Sequence, residues 1–368
     1  MDIAERASDS TIRLAAIGDL LMTTRPGEKA PGRGLEALSD DLRRLFASCD
    51  IVLANLECTL TGIVRIETEP RVFTTEAQLL GLAQAGINAV SLANNHAFDG
   101  GDEGFKRVVA LLEKQKISWF GAGLNSAEAR QPCILDVKGV RIALIGAVDA
   151  STGARRFAGP ESSGVAPFDL GILCQEIRLL RSQVDHILVS PHWGQERFRF
   201  PSPEQIRQAH ALVDAGASMV IGHHPHVIQG MERYKEGTIA YSLGNFLANN
   251  VYWDNGDFLT WNRFERTGCI LLAELDKKGI RNVEQVPAYD NGRVIAMDKA
   301  GKGKRYLRNA NQMLIPEVTS VRYRREEFRV HTLLPIFSHF RWEKLRRIRP
   351  SHFKKTLSLL SEQEEKQF

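Results

Sequence analysis

Three histidines fall within the five residues Gly222-His223-His224-Pro225-His226, directly after the apolar run Ser218-Met219-Val220-Ile221. Imidazole is the nitrogen ligand proteins use most for transition metals, and two imidazoles flanking a proline can be aimed at one point at little entropic cost. His224 and His226 are therefore candidate ligands. His223 faces the other way in any extended segment, which puts it either behind the ligands or in packing. The chain has only ten histidines, and two more, His96 and His192, also lie just beyond short apolar runs, Ala89 to Ala93 and Ile187 to Ser190. His210 sits inside a helical pattern and His186 opens a strand, so both suit structural roles. His331, His339 and His352 have no metal-ligand spacing.

A centre for two cations also needs hard oxygen donors that can bridge them. Asp19 follows the first apolar run, in Gly18-Asp19-Leu20-Leu21-Met22, and Glu57 follows the second, in Asn55-Leu56-Glu57. Asn95 and His96 follow the third, within Leu92 to Asp99, where the amide oxygen can ligate and the imidazole can donate a proton. An aspartate after a strand is ordinarily a turn or cap residue, and Asn-Asn-His alone reads as a loop that satisfies itself. Their joint recurrence at successive strand ends is what points to a metal centre. Arg71, in Glu69-Pro70-Arg71-Val72-Phe73, is a candidate clamp for an anionic substrate, set against the ordinary solvated loop arginine. Trp193, Tyr241, Tyr252 and Trp253 read equally as pocket walls or as core.

The elements that must hold these groups alternate along the chain. Short β-branched runs at 12–17, 51–54, 88–93, 117–120, 133–137, 140–148, 185–190, 218–222, 238–243 and 268–275 predict strands. Helical patterns fit 35–48, 76–85, 102–115, 169–183 and 203–215, the last with Ile206, Ala209 and Val213 on one face. Strands linked by helical crossovers give an α/β fold whose chemistry sits at the strand ends. Gly153 to Gly164 and Asn249 to Phe258 read as functional loops near the sheet mouth, and Gly301 to Arg305 as a linker.

An apolar fraction of 43% in 368 residues supplies a sizeable core. Five widely spaced cysteines without a C-x-x-C pair exclude a disulfide framework and a cysteine zinc knuckle, and read as reduced thiols. No export signal precedes the first strand, and no apolar stretch is long enough to cross a bilayer, so the expectation is a chain that is cytoplasmic or peripheral to the membrane. The formal charge of +4 is uneven: residues 299 to 355 carry 16 Lys and Arg against 4 acidic residues. That leaves the rest of the chain acidic. In the tail, Phe337, Phe340, Leu345 and Ile348 can share one helical face flanked by Arg341, Lys344, Arg346 and Arg347, which suits either a membrane surface or docking on the acidic part of the chain. No recognition motif accompanies this charge, which argues against nucleic acid.

Six blocks resemble the signatures of the bacterial poly-γ-glutamate capsule synthesis proteins of the CapA type, in that family's order and over about residues 12 to 275. They are Gly18-Asp19, Asn55-Leu56-Glu57, Leu92 to His96 with Asp99, His192-Trp193-Gly194 with Glu196, Gly222 to His226 with Gln229, and Tyr241 to Phe246. The family in turn is similar to calcineurin-like metallophosphoesterases. The resemblance implies a four-layer α/β/β/α sandwich at 12–300, after a flexible N-terminus at 1–11 and before a basic, partly helical C-terminal extension at 301–368. It implies Asp19, Glu57, Asn95, His192, His224 and His226 as ligands of one or two divalent transition metal ions (Mn, Fe or Zn). His96 matches the histidine that protonates the leaving group, with Asn94, Asp99, Arg71, Glu196, His223 and Asn245 behind the ligands or against substrate. Leu21 stands where phosphoesterases carry a histidine, and Glu57 where they carry a bridging aspartate, which leaves one metal a ligand short.

Two functions follow as expectations. One is a metal-dependent hydrolase of the phosphoesterase type, using metal-activated water on an anionic substrate, a phosphoester or a polyglutamate-like polymer. The other is a non-catalytic component that binds an anionic polymer or scaffolds other capsule-synthesis proteins on the same fold.

Overall fold

The computed structural model describes residues 11–25, 32–62, 70–315 and 317–334. Among them, an eight-stranded sheet runs in the order Ile295–Met297, Gly279–Asp290, Thr267–Asp276, Ile12–Leu21, Ile51–Asn55, Ala89–Ser91, Ser118–Phe120, with Asn245–Ala248 paired to the far end of Ile12–Leu21. A six-stranded sheet runs Met231–Tyr234, Gly237–Ala240, Met219–Ile221, His186–His192, Val140–Val148, Cys133–Val137. Within each sheet the central strands that end near the candidate residues are parallel, so their C-terminal ends lie on one edge.

Strand alternation divides the apolar residues among three layers of core. Leu14 and Ala16 join Ile142, Leu144, Leu188 and Met219 between the sheets, while Ala15 and Ile17 face the opposite way. The outer face of the larger sheet is covered by helices Asp40–Ala47, Glu76–Gln84 and Gly101–Lys114 through Phe46, Leu79, Leu82, Phe105 and Leu112. Helices Leu170–Leu180 and Pro203–Ala215 cover the smaller sheet through Leu173, Ile177, Ala209 and Leu212. The result is the expected α/β/β/α sandwich. Burial on both faces is why these strands read as continuous apolar runs.

Helix Pro203–Ala215 shows how local signals set an element. Ser202 accepts from the Gln205 amide while the Gln205 side chain returns to the Ser202 N–H, and Pro203 occupies the first turn, where no N–H is needed. It starts where the sequence says and stops at Gly216.

Several segments differ from the sequence expectation. Ile12–Leu21 continues beyond residue 17 because Asp19 to Leu21 find a partner in Asn245–Ala248. The expected strand 238–243 is instead Gly237–Ala240, and Gly244 at φ +68° turns the chain across to the larger sheet. The loop after Asn249 contains a small hairpin, Val251–Tyr252 with Phe258–Leu259. Gly301 to Arg305 is not a linker but opens helix Lys302–Gln312, which buries Leu307 and Ala310. Strand Gly279–Asp290 had no counterpart in the sequence reading, because only part of its length is buried.

Residues up to Ser320 form one compact unit and a second begins at Val321, whose described part is helical, with Glu326 paired to Arg329. The amphipathic run from Phe337 to Ile348 and the first ten residues lie outside the described residues. Among those described, no helix is long and apolar enough to cross a membrane.

Candidate metal centre

The C-terminal edges of the two sheets meet where Ser242-Leu243-Gly244 crosses from one to the other. A Cβ on Gly18 would lie 1.8 Å from the Gly244 carbonyl oxygen, so glycine is what lets the strands touch. The contact is closed by the Asp19 N–H donating to Gly244 O at 2.9 Å. His192 ends its strand and bridges to His223, with the His223 N–H donating to Pro191 O at 3.0 Å. This seam draws Asp19, Glu57, His192, His223, His224 and His226 together, all of them buried.

Asn55 sets both carboxylates. Its amide nitrogen donates to Asp19 Oδ1 at 2.8 Å and to Glu57 Oε2 at 3.1 Å, while its oxygen accepts from Asn94 at 3.1 Å. Each carboxylate is thus tied by one oxygen and presents the other. Asp19 Oδ2 and Glu57 Oε1 have no hydrogen-bond partner, and neither does His224 Nδ1. Around them, His226 Nδ1 lies 3.2 Å from Asp19 Oδ2, and its Nε2 lies 3.6 Å from Glu57 Oε1. His192 Nε2 is 3.7 Å from the same Glu57 oxygen and 2.9 Å from Asn95 Oδ1.

Donor atoms of Glu57, His224 and His226 all lie within 4.8 Å of one another, as ligands of one cation would. Buried polar atoms without partners are rare in native proteins and each asks for an explanation. An oxygen and nitrogen donor set facing one point fits a divalent transition metal. Both His224 (φ +95°) and His226 (φ +56°) are held in the left-handed region that side chains avoid, a conformational cost the fold carries to aim these rings inward.

The electrostatics agree. Burial opposes the Asp19 charge, but the His223 hydrogen bond and the His226 ring beside Oδ2 outweigh it and hold the carboxyl well below its usual range. Burial pushes Glu57 up to about 8, with the Asp19 charge adding to the rise and His226 opposing it. Burial alone would lower His226, yet Glu57 and Asp19 carry it up to about 10. Burial pushes His224 down to about 4 and His192 well below the ordinary imidazole range. His224 and His192 thus keep lone pairs free at neutral pH, while protons held on Glu57 and His226 would have to leave for a cation to bind.

His96 stands beside this cluster rather than inside it. Its Nδ1 lies 2.8 Å from Asp99 Oδ2, and its Nε2 faces the Asn95 amide at 3.2 Å. Burial would lower the imidazole, but the Asp99 carboxylate more than offsets this and raises it. Asp99 is fixed by the Val72 N–H at 2.8 Å. Asn94 donates to Leu56 O and accepts from the His96 N–H, so it ties the third strand end to the second.

The remaining candidates divide. His223 Nδ1 contacts Asp19 Oδ1 at 3.1 Å, so its ring lies against that carboxylate. Asn245 Oδ1 lies 3.0 Å from His226 Nδ1. Glu196 is exposed; crowding raises its carboxyl, and the facing His226, His224 and His96 more than reverse that. Arg71 pairs with Asp254 on the small hairpin. Trp193 and Tyr241 are core: they stack at 6.3 Å under the smaller sheet, and Trp193 Nε1 donates to Tyr241 O. Leu21 is packed between the larger sheet and its helices, so no nitrogen comes from that position.

Sequence reasoning left Asn55 and Trp261 unassigned. Asn55 stands two residues before Glu57, and that spacing is its only signal in the sequence. Trp261, whose ring is 5.2 Å from His226, had none.

A family model described as bacterial capsule synthesis protein PGA_cap matches residues 13–250. The PGA biosynthesis protein CapA of Bacillus subtilis (strain 168) is 30% identical over 285 residues, 76% of this chain and 72% of that one. The capsule biosynthesis protein CapA of Bacillus anthracis is 30% identical over 285 residues, 75% of this chain and 67% of that one. Among solved structures, the NAD nucleotidase of Haemophilus influenzae aligns over 83% of this chain and 57% of its own at 12% identity and a TM-score of 0.43. That likeness is remote, and the two-sheet architecture rests on the strand pairings themselves.

Proposed function

The chain belongs to the bacterial capsule synthesis protein PGA_cap family, and from that premise we propose that it is a metal-dependent hydrolase of a capsule polyanion, acting on a phosphoester or on poly-γ-glutamate itself. The observation that carries this reading is the set of buried donors without partners, Asp19 Oδ2, Glu57 Oε1 and His224 Nδ1, at a seam crowded with imidazoles.

In this reading Asp19, Glu57, Asn95, His192, His224 and His226 hold one or two divalent ions, Mn, Fe or Zn by ligand type. A bound divalent ion supplies Lewis acidity toward a phosphoryl or carbonyl oxygen and acidifies water. The rest falls to the chain's own side chains. Asn55 fixes the outer carboxylate oxygens so that the inner ones stay aimed, and His223 keeps Asp19 ionised. His96, engaged through Nδ1 by Asp99, meets the Asn95 amide N–H with Nε2 in the substrate-free site, and on exchanging that contact for the departing oxygen or nitrogen would give it the imidazolium proton. Two adjacent buried carboxylates would repel an anionic substrate, so anion turnover at this spot calls for positive charge between them. Capsule-synthesis proteins are the natural partners in this setting.

The test is turnover of bis(p-nitrophenyl) phosphate and of γ-linked glutamate oligomers by the Mn-loaded full chain, with wild type and His96→Ala compared. A drop of about 10² or more in kcat for the variant, at unchanged metal content, is expected for loss of a general acid. Equal or absent turnover in both would sink the hydrolase reading and leave an anion-binding component of the capsule machinery.

A further inference from the structure

Next to the residues that touch His96 lies a small cavity lined by Asn94, Asn95, Phe98, Asp99, Arg155 and Arg156 among others. Its two arginines are neighbours in sequence and opposites in circumstance. Arg156 is committed: it pairs with Asp102, donates to Ser163 O at 3.2 Å, and lies over the Phe98 ring at 5.2 Å. Its backbone is fixed too, since its carbonyl accepts from the Val165 N–H at 3.0 Å. Arg155 is exposed and has no hydrogen-bond or ion-pair partner among the described residues.

The loop carrying both leaves the strand Val140–Val148, whose last residue pairs with His192 at the end of the neighbouring strand. The Asp149 N–H donating to His192 O at 2.9 Å ties the loop's root to the same edge. Arg156 therefore works as an anchor. It pins the loop to the start of helix Gly101–Lys114 and leaves the adjacent guanidinium at the cavity rim, a planar fork of donors without a counter-charge. Three polar residues that share this cavity, Asn94, Asn95 and Asp99, touch His96.

We propose that Arg155 is a specificity-determining residue: it holds an anionic oxygen group of the substrate, a carboxylate or a phosphate, on the leaving-group side of His96. The assignment rests on the hydrolase reading for what is cleaved, but the contact itself is one of binding. Carboxylate and phosphate present the same paired oxygens to a guanidinium, so two probes distinguish their source.

The experiment measures binding of fluorescein-labelled γ-linked hexaglutamate to the full chain by anisotropy, and of tripolyphosphate by competition, each with and without Mn. Wild type, Arg155→Ala, Arg155→Lys and the charge-matched Lys277→Ala are compared; Lys277 is exposed at the opposite end of the sheet. For Arg155→Ala, Kd rises about five- to tenfold, as for loss of one charge-assisted contact at a rim. Arg155→Lys recovers part of the loss, and Lys277→Ala changes Kd less than twofold. A loss with hexaglutamate alone assigns the group to a glutamyl carboxylate, and a loss with tripolyphosphate alone to a phosphate.

Equal Kd for Arg155→Ala and wild type with both probes, or the same loss for Lys277→Ala, overturns the proposal. Weakened binding in Arg155→Ala alongside turnover that ignores His96→Ala keeps the contact and removes the hydrolase reading. Intact His96-dependent turnover with unchanged binding in Arg155→Ala does the reverse.

Discussion

Asn55→Ala is the most informative single perturbation, because the residue ligates nothing in the proposed centre and yet sets both carboxylates. The substitution removes two hydrogen bonds to carboxyl oxygens and one from Asn94. Asp19 Oδ1 keeps His223 at 3.1 Å, and Asn94 keeps Leu56 O at 2.9 Å. Glu57 Oε2 loses its partner outright. A buried acceptor left without a donor costs about 1–3 kcal/mol, so the metal-free variant should be less stable by about 2–3 kcal/mol. Supports behind metal ligands are typically worth about 10–100-fold in affinity, or roughly 1.4–2.8 kcal/mol. Mn²⁺ affinity measured against a competing chelator should therefore fall by that factor, with the circular dichroism spectrum unchanged. Wild-type affinity within twofold in a folded variant would refute the argument that Asn55 aims the two carboxylates.

Three further outcomes follow from the same geometry. Asp99→Asn removes the charge that raises His96, so the alkaline limb of the kcat profile should move to lower pH while metal content holds; an unmoved limb would detach Asp99 from the proton inventory. In the metal-free protein Glu57 and His226 titrate above their ordinary ranges, so the stability they add is present at low pH and lost as pH rises through about 8 and about 10. Because a cation takes the place of those protons, the rise in Tm on adding Mn²⁺ should be larger at pH 8.5 than at pH 6, and an equal rise would contradict the assignment. Gly18→Ala places a methyl 1.8 Å from Gly244 O, which must push the crossing segment off strand Ile12–Leu21 at the seam. A loss of about 3 kcal/mol together with weaker metal binding is expected, and a neutral variant would show that the seam does not hold the site.

Much of the centre was legible because each donor is a polar residue at the end of an apolar run, and parallel strands bring such ends to one edge. Asp19, Glu57, Asn95, His192, His224 and His226 all follow such runs, and of these Glu57, His224 and His226 bring donor atoms within 4.8 Å of one another. What escaped depends on tertiary partners that no window of sequence contains. Asn245–Ala248 is a strand because Asp19 to Leu21 offer it an edge, and its neighbour Gly244 breaks the local run. Helix Lys302–Gln312 is mostly cationic and polar; only Leu307, Ala310 and Gly303 are buried in it, so its pattern resembled a linker. Asn55 was passed over since an asparagine at a strand end usually caps a turn, and here it serves two carboxylates. Arg155 and Arg156 look alike in sequence, and only the positions of Asp102, Ser163 and Phe98 tell them apart.

The account stands on a cation shared by buried donors from distant segments of the chain. A crystal of the protein soaked in Mn²⁺ and measured for anomalous scattering addresses it directly. The prediction is a peak within bonding distance of Glu57 Oε1, His224 and His226, lost in Glu57→Gln with His224→Ala. A map with no peak at that seam, or one equally strong in the double variant, would contradict it.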